Sequence, residues 1–238
     1  MRDAARVAAD LRAVRDASFA SFAGTDPASL AREAFSLLAD PDPVLRDELA
    51  YAVLANWITD GVLAEPVVRE LLARAEHALP KRLGETGSDT VFGRSFAALI
   101  VAAVLYRDNA VAFLAEDEWR STVAALCRYC KGELDVRAEV AGKGWAHTPA
   151  HAADAVDECF RSRFATRDDC RRLFDALATL VARATSPFEA SEDERIAYAL
   201  TGIVDSGRAS LELVRSWISE RLPESPENWR RIAAQLGE

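Results

Sequence analysis

Long stretches of helical periodicity broken by hard stops constrain this chain more than anything else in it. Alanine, leucine and arginine dominate the stretches, and no sustained period-2 alternation of the kind a half-buried strand needs is present. The stops are turn-forming clusters: Gly24-Thr25-Asp26-Pro27, Asp40-Pro41-Asp42-Pro43, Asp60-Gly61, Gly84 to Ser88, Asp108-Asn109, Lys131-Gly132, Thr148-Pro149, Ser186-Pro187, Asp205-Ser206-Gly207 and Pro223 to Pro226. Asp26 before Pro27 and Thr148 before Pro149 read as an N-cap followed by a first helical residue. The breaks divide the chain into about eleven or twelve helices joined by short connections.

The helices read as pairs. Leu37 to Ala50 resembles the centre of a HEAT unit, in which an aspartate-bearing turn leads into a second helix with an arginine, here Arg46, in its first turn. Weaker echoes are Ser88-Asp89 with Arg94, and Asp135 with Arg137. These arginines recur at close to the roughly 40–47 residues of HEAT-type repeats. One such pair cannot bury its apolar face alone, so neighbours stack and share a core. No Gly/Ser-rich linker interrupts the sequence. The prediction is an all-α, right-handed, HEAT-like α-α superhelix of stacked helical hairpins, forming a single domain over residues 1–238.

Composition narrows the function. With 50% hydrophobic residues the chain has ample material for a core, and its formal net charge of −9 makes it a poor binder of phosphate backbones. Nucleic acid is therefore not an expected partner. The longest apolar run, Phe96 to Tyr106, is about half of the roughly 20 residues a membrane span needs, so no membrane partner is expected either. No apolar leader-like stretch follows Met1, and the four cysteines lie inside helical patterns without the density of a disulfide scaffold. A cytoplasmic setting is the expectation.

Chemically capable side chains concentrate in Gly142-Lys143-Gly144-Trp145-Ala146-His147-Thr148-Pro149-Ala150-His151-Ala152-Ala153-Asp154. It holds two of three histidines and one of three lysines. Pro149 places His147 just before a helix and His151 in its first turn, both across the helix N-terminus. The positive end of the helix disfavours a protonated imidazole, leaving His151 free to accept a proton, with Asp154 one turn on to orient it. Lys143 and Arg137 are candidates to hold an anion beside the free N–H groups of that helix start, with Trp145 as a stacking platform. Asp89 and Arg94 open the helix after Gly84–Ser88, and on one edge of a hairpin stack they fall near Arg137 and Lys143. The bland alternatives are that the histidines brace the loop, that Asp89 pairs with Arg94, and that the two glycines permit a sharp turn.

Metal and nucleotide readings are weaker. Cys127-x-x-Cys130 followed by His147-x-x-x-His151 mimics a zinc finger, but Val123, Leu126, Cys127 and Cys130 recur at core spacing, so the thiols read as small buried hydrophobes. H-E-x-x-H and the Walker pattern are both absent. No metal and no cofactor are expected.

Gly84-Glu85, Ser88 to Phe92, Arg94-Ser95-Phe96, Asp135-Val136-Arg137, Gly142 to His147 and His151 to Asp154 together resemble the motifs of a bacterial family, domain of unknown function 2785. Leu49-Ala50-Tyr51, Trp57-Ile58 and Gly61 are similar too, so the likeness covers about residues 40–160. The resemblance implies a compact, cytoplasmic, helical protein. It stresses the Trp145–Asp154 segment and gives it no chemistry. The leading expectation is a non-enzymatic binding scaffold whose partner is a protein, a peptide or a small anionic ligand. The alternative is a hydrolase for a small anionic substrate, with His151 as base, Asp154 orienting it, and Lys143, Arg137, His147, Trp145, Arg94 and Asp89 around the ligand. A pocket where the histidines and a cation converge favours the enzyme, and buried, hydrogen-bonded histidines favour the scaffold.

Overall fold

The computed structural model describes residues 3–22 and 24–236. Helices account for 68% of the chain, which makes it all-α as expected. In order they are α1 (Ala4–Asp16), α2 (Pro27–Leu37), a π-helical segment (Val44–Tyr51) running into α3 (Ala52–Thr59), α4 (Glu65–Ala78), α5 (Thr90–Val111), α6 (Glu116–Gly132), α7 (Thr148–Arg161), α8 (Arg167–Val181), α9 (Glu192–Asp205), α10 (Leu211–Arg221) and α11 (Pro226–Gln235).

Local chemistry sets the boundaries. Asp26 accepts from the N–H groups of Ala28 and Ser29 while Pro27 opens α2, as the sequence predicts. Thr166 and Asp169 form a reciprocal capping box on α8. At α5, Asp89 occupies the N-cap position but its carboxylate makes no capping bond. At α7 the helix begins one residue early, with His147 rather than Thr148 at the N-cap and Pro149 just inside.

The helices pack in two series. The helices α3, α5, α7, α9 and α11 contact one another in turn, and α2, α4, α6 and α8 do so in a second layer. Contacts of α2 with α3, α4 with α5, α6 with α7 and α7 with α8 join the layers, so these helices adjacent in sequence lie across the two layers. One connected apolar core runs from Val7 in α1 to Leu236 beyond α11. Helix α5 is long and apolar enough to cross a membrane, but 72% of its most apolar window is buried against other helices, as a core helix would be.

The connection between α6 and α7 departs from the helical expectation. Two short strands, β1 (Glu139–Val140) and β2 (Gly144–Trp145), pair antiparallel with Glu139 opposite Trp145 and Val140 opposite Gly144. Two residues per strand are too few for alternation to show in a sequence. The turn closes by donation from Lys143 N–H to the Val140 carbonyl at 2.8 Å, with Gly142 at φ +71° supplying the left-handed step. The glycines therefore make a hairpin turn rather than a direct helix-to-helix turn.

Candidate functional site

The hairpin is held against the helices by one arginine. Arg46, in the π-helical segment, is fully buried and donates from Nη1 to the Asp40 carbonyl at 2.7 Å. Its Nη2 donates to the carbonyls of Lys143 at 2.6 Å and Trp145 at 3.3 Å. The guanidinium lies 3.9 Å above the Phe92 ring. No carboxylate lies within ion-pair distance of it among the described residues, and burial lowers its pKa. Gly144 completes the fit, because a Cβ there would stand 2.9 Å from Pro43 Cβ and its φ is +71°.

A second buried arginine organises the loop before α5. Arg94 pairs with Glu133, which is itself fully buried, at 3.0 Å between Nη2 and Oε1. Its Nη1 donates to the carbonyl of Arg82 at 3.1 Å and to Thr90 Oγ1 at 3.0 Å. The Glu133 carboxylate also accepts the N–H groups of Leu134 and Asp135 at 3.0 Å. Every charge in this set has a partner, so Arg94 holds the chain before and after the helices rather than a ligand. The alternative pairing of Asp89 with Arg94 is not what forms. Asp89 instead binds the Lys143 ammonium at 2.6 and 2.7 Å.

The remaining candidate cation is engaged as well. Arg137 forms a two-pronged pair with Asp135 at 2.6 and 2.8 Å and donates to the Ser88 carbonyl at 2.9 Å. Asp135 also takes the Gly87 N–H at 3.0 Å. Ser88 and Asp89 thus meet Arg137 and Lys143 directly, while Arg94 turns to Glu133. The expectation that Lys143 and Arg137 present free charge to an anion is corrected, since each faces its own carboxylate.

His151 is buried in the first turn of α7. Its Nδ1 lies 2.7 Å from Ser95 Oγ, and that hydroxyl also bonds the Ala146 carbonyl. A serine has one hydroxyl hydrogen and a carbonyl only accepts, so the hydrogen goes to Ala146. Nδ1 must then be the donor to Ser95, which leaves Nε2 as the unprotonated nitrogen. Burial, with the neighbouring His147 and Arg195 charges second, holds the His151 pKa well below 6.5. The Phe96 ring meets the imidazole edge-on at 5.1 Å.

Asp154 does not orient His151. It pairs with Arg195 of α9, Nε to Oδ1 at 2.8 Å, and Ser95 performs the orienting role. The helical spacing was right, but a guanidinium across the layer outcompetes a neutral ring one turn away. His147 sits in the left-handed region at φ +50° and stacks on Trp145 with centroids 4.9 Å apart. Its Nε2 donates to the Ala190 carbonyl at 2.8 Å, with Glu192 3.6 Å away. The ring thus ties the start of α7 to the start of α9. Cys130 lies fully buried on α6 with its pKa pushed up by burial, while Cys127, expected on the same buried stripe, is only half-buried.

Next to this assembly, α3, α5, α7 and α9 enclose a cleft of about 600 Å3. Its lining includes Tyr51, Tyr106, Asp154, Glu158, Arg195 and Tyr198, and neither His147 nor His151. Tyr106 and Tyr198 are among the most exposed large apolar side chains described. Burial pushes the carboxyl of Asp157 up to about 6 and that of Glu158 up to about 7.

Four residues that do much here carried little signal in the sequence. Ser95, Glu133, Glu192 and Arg195 are ordinary helix or loop residues, and the partners they meet across the fold lie roughly 40 to 56 positions away. Arg46 alone had a visible cue, its place after the Asp40–Pro43 turn.

The family model described as Protein of unknown function (DUF2785) matches residues 79–235, and the chain belongs to that family. The match begins later than the likeness read from the motifs and extends through the last third of the chain. No curated protein and no solved structure matches it.

Proposed function

We infer that this protein is a non-enzymatic binding scaffold, a HEAT-like and right-handed α-α superhelix built as one domain and working in the cytoplasm. The observation that carries this reading is the consumption of the candidate site by its own partners. His151 is taken by Ser95, His147 by Ala190, Asp154 by Arg195, Lys143 by Asp89, Arg137 by Asp135 and Arg94 by Glu133. Such a set braces the hairpin between the two helical layers. The alternation of helices between layers supports the superhelix, and four unpaired thiols support a reducing setting.

The surface offered to a partner is the cleft along α3, α5, α7 and α9, which Tyr106, Glu158 and Tyr198 all line. Tyrosines of this kind anchor interfaces because they bury much area with few rotatable bonds. A protein or peptide segment is the partner it suits. The test is selection of a displayed random-peptide library on the immobilised protein and on a Tyr106→Ala/Tyr198→Ala variant. The scaffold reading expects a shared motif enriched on the first and lost on the second. Enrichment of nothing, or of a motif indifferent to the tyrosines, would overturn it.

One observation favours a second reading, a hydrolase for a small anionic substrate. The Nε2 of His151 makes no hydrogen bond among the described residues, and its tautomer leaves the lone pair available. In that reading Ser95 rather than Asp154 orients the base. Ester hydrolysis measured on the wild type and on His151→Gln separates the two, since the scaffold reading expects no turnover above background from either.

A further inference from the structure

A cavity of about 690 Å3 lies away from the hairpin, between α2, α4 and the first turns of α5. Its walls are mostly apolar: Phe35 and Leu38 at the end of α2, Ala39 just beyond, Ala73 and Ala78 on α4, and Gly93 on α5. The small side chains create the room. Gly93 is needed for the close approach of α5, because a Cβ there would meet the Ala39 methyl at 3.1 Å. The volume is within the roughly 300–1,000 Å3 of small-molecule sites.

The charges around this cavity differ in kind from those around the hairpin. Its one lining carboxylate, Glu70, is already paired with Arg32 at 2.8 Å. Arg82 is paired with Glu85, and Arg94 with Glu133. Arg74 is half-buried and bonds only neutral acceptors, the Arg32 carbonyl at 3.0 Å and Ser36 Oγ at 3.3 Å. Its guanidinium lies 4.4 Å over the Phe35 ring, and burial lowers its pKa. The Lys81 ammonium makes no hydrogen bond or ion pair among the described residues. Arg74, His77 and Lys81 fall at i, i+3 and i+7, so they follow one side of α4 and its exit. In a chain of net charge −9, this mostly apolar chamber carries two cations, Arg74 and Lys81, with no carboxylate within ion-pair distance among the described residues.

We propose that this cavity binds a single-chain amphipathic carboxylate of the fatty-acid class. Its hydrocarbon lies against Phe35, Leu38, Ala73 and Ala78, and its carboxylate takes Arg74 and Lys81. Two spare positive groups match a monoanionic head, and a guanidinium offers a carboxylate the stronger, two-pronged hydrogen bond. The apolar walls select a chain over a small anion, because only a chain removes that surface from water. The site is separate from the tyrosine cleft on α3, α5, α7 and α9.

The experiment is isothermal titration of the full chain, freed of bound lipid, with dodecanoate, with 1-dodecanol and with acetate. Dodecanoate is expected to saturate at one per chain, with dodecanol and acetate each weaker by about tenfold or more. Ala73→Trp fills the chamber from an exposed position on α4, so it leaves the core alone; it should weaken dodecanoate by about tenfold or more. Arg74→Gln/Lys81→Gln should do the same to dodecanoate and leave dodecanol unchanged. The proposal is overturned if dodecanoate fails to saturate at one per chain, if dodecanol binds as tightly, or if the double glutamine variant binds dodecanoate like the wild type.

Discussion

Arg46 and Arg74 are both arginines on the helical framework with no carboxylate within ion-pair distance among the described residues, and they stand in opposite conditions. Arg46 is sealed under the hairpin and gives its donors to carbonyls of Asp40, Lys143 and Trp145, which brings distant parts of the chain together. Arg74 stands at a cavity wall with a carbonyl and a hydroxyl for company and open space in front of it. The difference holds for the regions around them. Near the hairpin Lys143, Arg137, His147 and Asp154 each have an internal partner, while beside α4 Arg74 and Lys81 have no carboxylate partner among the described residues. The segment richest in chemically capable residues is the one most occupied with holding the fold, and the uncompensated charge sits where the sequence carries no motif.

The largest effect that would break this contrast concerns Arg94. Arg94→Ala leaves Glu133 buried without its counter-charge, and stability measured by urea unfolding should fall by about 3–5 kcal/mol. A loss under about 1 kcal/mol would mean that the loop before α5 is not held this way.

Next come the hairpin glycines, which provide an internal comparison. Gly142→Ala should cost only the left-handed backbone term of about 1–2 kcal/mol, since nothing lies within 4 Å of its added Cβ. Gly144→Ala incurs the same term and also pushes on Pro43. Thermal melts should therefore place Gly144→Ala clearly below Gly142→Ala, and the reverse order would argue against a hairpin pressed onto the Asp40–Pro43 turn.

The pH dependence of stability follows from His151. Its folded pKa lies well below 6.5, so as pH falls below 6.5 the unfolded chain takes up a proton that the folded chain refuses. Stability contributed by the neutral ring is complete above pH 6.5 and is lost as pH drops from there toward the folded pKa. Urea midpoints at pH 7.5 and 5.5 should converge more in His151→Gln than in the wild type. An unchanged slope would place the ring in water. The smallest effect belongs to Lys143→Ala, because the Lys143–Asp89 pair is 40% and 43% exposed. Such pairs contribute about 1 kcal/mol or less, and differential scanning calorimetry should show a shift no larger than that implies.

These outcomes also mark what was legible in the sequence. Turn clusters with capping residues gave the helix boundaries, because capping is a local affair of three or four residues, as at Asp26-Pro27. The Asp40–Pro43 turn leading into a helical segment that carries Arg46 was legible for the same reason. The partners of Arg46 were not, since they are backbone carbonyls 97 and 99 positions away and a carbonyl leaves no trace in residue identity. Helical spacing alone pointed Asp154 toward His151, and it could not register Arg195 arriving from α9. Ser95 stands in a motif that gives it no role, because its significance lies in the single hydrogen it gives to Ala146. The cavity beside α4 was invisible for a different reason: Ala39, Ala73, Ala78 and Gly93 signal by what they lack.

The claim that matters most is that His151 belongs to a brace, and a double-mutant cycle with Ser95 tests it most directly. Urea unfolding would be measured for the wild type, Ser95→Ala, His151→Ala and the double variant. The account predicts that His151→Ala alone costs about 1–3 kcal/mol. It also predicts that the two losses are not additive, with a coupling of about 0.5–3 kcal/mol. Additive losses, or a His151→Ala variant as stable as the wild type, would contradict it and return His151 to the role of a residue kept free for chemistry.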